Sequence, residues 1–110
     1  MEVLEVEATA IDEYFGAEYT KIDIIKIDAE GSEPLIFDGM KKTINSNPDV
    51  AIICEFSPPL ISGSRDPGKF LNELKDYGFI IRVIDENSRL IEISEKKLLK
   101  VENCELYLKR

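Results

Sequence analysis

Four carboxylates stand where two apolar runs stop. Asp28, Glu30 and Glu33 follow the run Ile22, Ile24, Ile25 and Ile27, and Glu55 falls near the end of a second run that begins at Val50. Asp28 and Glu30 flank a single residue, so an extended backbone puts both on one side, and a tight reversal at Gly31 would aim them into a shared cleft. Two carboxylates held close repel, which raises the pKa of one toward neutrality, where it can act as a general base. The plainer reading of the same residues is a solvated turn that leaves an anion near a helix start. Glu33 suits that plainer reading: in a first helical turn it meets the positive end of the macrodipole, worth typically ~0.3–1 kcal/mol. Glu55 lies inside an otherwise apolar run, where a charge is costly to bury without a partner. Lys26 supplies one if both side chains fall on one face. Asp28, Glu30 and Glu55 together also form an oxygen-only set of the kind Mg²⁺ or Ca²⁺ takes, but three carboxylates are too few to name a metal.

Other chemistries are excluded by composition. The chain has no histidine, which removes Ser-His-Asp triads, histidine bases and histidine-ligated zinc hydrolase sites. Cys54 and Cys104 lack any C-x-x-C spacing and read as buried free thiols. A net charge of -8 opposes binding to a phosphate backbone, so nucleic acid is not an expected partner. No apolar run approaches the ~20 residues that span a bilayer, so no membrane is expected either. Residues 1–10 hold three glutamates and no basic residue, unlike the start of a secretory signal, and a cytoplasmic location is expected. At 110 residues the chain has room for one core, hence a single domain over residues 1–110.

The elements that must hold these residues are written in the hydrophobic pattern. The β-branched run over residues 22–28 reads as a parallel strand covered on both faces. Gly31 permits the reversal, Ser32 can serve as N-cap, and Pro34 fits the first turn of a helix running to about residue 45, with Ile36, Met40 and Ile44 as its buried stripe. Gly39 inside that helix costs about 1 kcal/mol against Ala, which suggests a close approach to a neighbouring strand. Residues 47–49 end the helix, residues 50–56 form a second strand, and the spacing is that of a right-handed crossover. Residues 57–65 make an unusually long loop, a candidate lid. Asp66 as N-cap, Pro67, the stripe Phe70, Leu71, Leu74 and Tyr77, and Gly78 as stop mark the best-signalled helix. Residues 79–85 form a third long strand, 89–93 a short one, Ser94 caps a helical turn through Leu99, and the alternation over 104–109 is a last, antiparallel strand. Upstream, residues 2–7 suit a short strand, and Thr9 with Asp12 a capping box for a short helix closed at Gly16.

The string I-K-I-D-A-E-G-S-E-P-L-I-F-D-G over residues 25–39, followed by a strand ending in C-E-F-S-P-P, resembles the second half of the FkbM family of S-adenosylmethionine-dependent methyltransferases. The likeness runs from about Val6 to Gly78. It implies an α/β fold, a partial class I (Rossmann-like) methyltransferase sheet that is mostly parallel, with helices on both faces. Its antiparallel last strand slots between the second and third long strands. It implies S-adenosylmethionine as cofactor, O-methylation of a small hydroxylated acceptor, and Asp28, Glu30 and Glu55 as the catalytic candidates. The family also resembles other class I enzymes in a glycine-rich turn and an acidic residue that hold the cofactor, and neither is here: the six glycines include no pair separated by one residue. The chain therefore reads as the C-terminal half of the domain, with no assignable cofactor-binding residue, and on its own is expected to bind the cofactor weakly and not to be a competent methyltransferase. The rival reading is a non-catalytic fragment that works as an interaction module. Without the family's first strand, the flank of residues 22–28 is a bare edge with three outcomes open to it, namely cover by residues 2–7 folding back, pairing with a second copy, or aggregation, and a homodimer through that edge is the favoured one.

Overall fold

The computed structural model describes the strand at residues 3–6 and the whole of residues 21–110; the expected helix over residues 9–16 lies outside the described residues. Val3–Val6 (β1), Ile24–Ile27 (β2), Ala51–Phe56 (β3), Ile80–Ile84 (β4), Leu90–Ile91 (β5) and Cys104–Lys109 (β6) form one open sheet in the order β1-β2-β3-β6-β4-β5. β1, β2 and β3 pair parallel, whereas β6 runs antiparallel to both β3 and β4, and β5 antiparallel to β4. The sheet is thus mixed, which corrects the mostly parallel arrangement expected. The cause of the second reversal is the tight turn after β4: Asp85 accepts hydrogen bonds from the amides of Asn87 and Arg89 at 2.9 and 2.8 Å, and so short a return permits only antiparallel pairing. The last strand does lie between β3 and β4.

The helices are shorter than the pattern suggests. The helix expected over residues 32–45 is two, Glu33–Asp38 (α1) and Lys41–Ser46 (α2), because Gly39 and Met40 interrupt it. Its stripe survives: Ile36, Met40 and Ile44 are all buried. Gly39 ends α1, and the close approach belongs to Gly31, where a Cβ would stand 2.6 Å from the carbonyl oxygen of Leu60. Residues 57–65 are not an open loop. Pro58–Ile61 forms a helical turn (α3) with Ile61 fully buried, and Arg65 pairs with Asp38 at 2.6 Å and Glu73 at 2.8 Å. A segment pinned this way is not a lid. Pro67–Asp76 (α4) is capped as expected, Asp66 accepting from the Lys69 amide at 3.0 Å, and Glu95–Leu98 (α5) by Ser94.

Residues paired across a sheet share a face, so the register sorts every strand residue. Ile25, Ile27, Ile52, Cys54, Leu106 and Leu108 fall on one face, and all are buried in a single cluster with the helix residues Ile36, Phe37, Ile44, Phe70 and Leu74. Ile24, Lys26, Ala51, Ile53, Glu55, Tyr107 and Arg82 fall on the other, and of these only Ala51 is buried. Among the described residues the helices therefore lie on one face. Chirality is the reason. From β2 to β3 and from β3 to β4 the chain steps in the same direction across the sheet, and right-handed crossovers taken in one direction all land on one side.

The flank of residues 22–28 is not bare. β1 pairs along it, Val3 beside Ile24 through Val6 beside Ile27, so a homodimer through that edge requires β1 to be displaced. β2 itself is shorter than expected because Asn47 takes over its entry: the Asn47 side-chain oxygen accepts from the Ile22 amide at 2.8 Å, while its amide nitrogen donates to Thr43.

Candidate active site

β2 and β3 run parallel with Ile27 beside Cys54, so the residues that follow, Asp28 and Glu55, are the next pair in the register and project from the open face at the strands' carboxyl ends. Ligands in open α/β sheets bind at such ends. The Glu55 pKa is pushed up to about 7 by burial, by its hydrogen bond to Asp28 and by the negative charges of Asp28, Glu33 and Glu30, in that order. On the other side of Glu55 the register places Glu105 directly opposite, an arrangement of like charges that sheets avoid. The carboxyl-end row of the open face is therefore Asp28, Glu55 and Glu105.

Sequence reasoning set Asp28 with Glu30, whereas the register sets Asp28 beside Glu55. Glu30 is exposed, has a left-handed backbone at φ 48 and gives Glu55 only the last of its perturbing charges. Lys26 shares a face with Glu55 but sits one row back, beside Ile53, and Asp28 occupies the place of partner. Among the described residues no group of three or more His, Cys, Asp or Glu side chains could hold a metal ion.

Glu33 is structural in a way the sequence did not reveal. It is 1% exposed, and its two oxygens accept from the amides of Ala29 at 2.7 Å and Gly31 at 2.9 Å. Ser32, the expected cap, makes no side-chain cap bond, because the carboxylate one residue on ties the preceding turn instead. From the other side Ser64 Oγ donates to the Gly31 carbonyl at 2.7 Å, and Leu60 fills the space beside Gly31. Behind the site the thiols are free, and burial pushes Cys54 well above the usual thiol range and Cys104 to about 11.

These residues do not fit S-adenosylmethionine. The row at the strand ends offers carboxylates and no cation for the cofactor's own carboxylate. Gly31, the one glycine in the turn after β2, has its open side filled by the Leu60 backbone, so it is no cradle for a ligand.

The chain matches the model of the methyltransferase FkbM domain over residues 1–81, a span that holds Asp28, Glu30, Glu33 and Glu55. No curated protein and no solved structure matches it. With that match covering most of the chain and D-x-E-G-x-E seated at the carboxyl end of β2, the chain belongs to the FkbM methyltransferase domain family.

Proposed function

We propose that this chain supplies the acceptor side of an FkbM methyl transfer, in which the Glu55 and Asp28 pair takes the proton of a hydroxyl on a small acceptor as its oxygen becomes methylated. What supports this reading is the register that brings Asp28 and Glu55 side by side at the ends of two adjacent parallel strands, with the Glu55 pKa pushed up to about 7, so that the unprotonated pair is an effective base near neutral pH. S-adenosylmethionine, the family's methyl donor, is then held by residues other than these, in a further N-terminal portion of the domain, and the reaction takes place in the cytoplasm. Asp28→Asn or Glu55→Gln, in a chain that includes such a portion, is expected to lower methyl transfer ~10²–10⁴-fold, the range for losing a positioned base. Glu30→Gln should do less, since Glu30 lends only charge. Wild-type rates in the first two variants would demote the pair to turn structure. For these 110 residues alone, titration calorimetry with S-adenosylmethionine should show no tight binding; a low micromolar dissociation constant, about -8 kcal/mol, would overturn the division of labour.

A second reading, a non-catalytic interaction module, is favoured by the half-open face of the sheet, where Ile80 is 52% exposed. It separates from the first by the same variants: a module tolerates Glu55→Gln without loss.

A further inference from the structure

We infer that Glu33 is the positioning residue of the strand-end pair, its buried carboxylate holding the turn after β2 in the shape that sets Asp28 against Glu55. The inference rests on the proton-accepting role proposed for that pair. A carboxylate is costly to remove from water unless hydrogen bonds compensate, and both oxygens of Glu33 turn back to the amides of Ala29 and Gly31. Those two residues bracket Glu30, whose φ of 48 lies in a region that side chains avoid, and Gly31 follows at φ 102. Such a turn needs holding. Glu33 holds it from within, while the Ser64 hydroxyl holds it from the α3 side, where the Leu60 backbone lies against Gly31. Asp28 immediately precedes the first braced amide, so a turn that relaxes carries Asp28 away from Glu55.

Among the described residues the groups that face Glu55 are Asp28 and Lys26 from β2, Glu30 and Glu33 from the turn and α1, and Glu105 and Tyr107 from β6, while Cys54 and Cys104 lie on the opposite face of the sheet. Glu33 could act on it through charge alone, and the test must separate charge from position. Carbon-detected NMR titration of the Glu55 carboxyl in the wild type, Glu33→Gln, Asp28→Asn and the double variant does so. The wild type is expected to titrate near 7 and Glu33→Gln about one pH unit or more lower, with little added effect in the Asp28→Asn background, because the influence of Glu33 runs through Asp28. Additive effects would show charge alone and overturn the inference. So would a Glu55 that still titrates near 7 in a Glu33→Gln protein of lowered stability, which is what a merely structural brace predicts. A wild-type Glu55 that titrates as an ordinary glutamate would instead remove the pair itself, and the proposed function with it. Should Glu33→Gln fail to fold, Ser64→Ala loosens the same turn from the other side with the Glu33 charge in place; a lowered Glu55 value supports the inference and an unchanged one overturns it.

Discussion

Glu55 gains a proton on folding, and that has a consequence for stability with a definite sign. An unfolded glutamate titrates near 4.5, and this one is pushed to about 7 in the fold. Between those values the folded chain holds a proton that the unfolded chain has released. The site's contribution to stability is therefore complete below about pH 4.5 and is lost as the pH rises through about 7. Urea midpoints measured from about pH 5 to about pH 8 should fall more steeply for the wild type than for Glu55→Gln, which carries no such group; parallel curves would mean that Glu55 is not perturbed. The sequence pointed to Asp28 and Glu55 as site residues but coupled Asp28 to Glu30, its neighbour along the chain. Proximity at a strand end is decided by register, and the match of Ile27 with Cys54 is a fact of pairing that no local pattern contains. The brace by Glu33 was hidden for a similar reason: a glutamate at a helix start reads as a solvated anion until its burial is known.

At the scale of elements, caps separate what local chemistry specifies from what it merely permits. Asp66 and Ser32 have the same credentials in sequence, each a capping residue followed by a proline within two positions. Asp66 makes its bond to Lys69 and Ser32 makes none. Asp66→Ala should cost about 1 kcal/mol in denaturant unfolding, whereas Ser32→Ala should be close to neutral; equal losses would contradict the bonding. Gly31→Ala should be worse than either, since it meets both a strained backbone at φ 102 and a carbonyl oxygen 2.6 Å away. A loss below that of Asp66→Ala, read from the same curves, would mean that α3 moves aside easily. The strands and α4 were legible because a single period runs through each. α1 and α2 were read as one helix because Ile36, Met40 and Ile44 keep a spacing of four across the break, and a stripe does not record whether the backbone beneath it is continuous.

For the molecule as a whole, the side of the sheet taken by the described helices was the least legible feature. The apolar runs of β2 and β3 promised cover on both sides, yet the side on which a crossover lands depends on the direction of travel between strands, which only the strand order fixes. The same order supplies β1 as a neighbour to β2, so the amides of Ile24 and Lys26, which point away from β3, should be protected from hydrogen exchange at concentrations where sedimentation equilibrium finds a monomer. Rapid exchange in the monomer, with protection appearing only on self-association, would mean that a second copy and not β1 occupies that flank.

The place of β6 has a consequence in time as well as in space. Among the described strands it alone links the parallel strands on one side to the β4–β5 hairpin on the other, joining Ile52 to Leu108 and Ile81 to Leu108 across long stretches of chain. Neither half can be knitted to the other by any local turn, so the entropy of closing both loops must be met before the sheet is continuous. Folding should accordingly be limited by the arrival of a single strand: in pulse-labelled refolding, amides of β3, β4 and β6 that bond across the two β6 ladders should gain protection in one concerted phase, later than the amides inside α4.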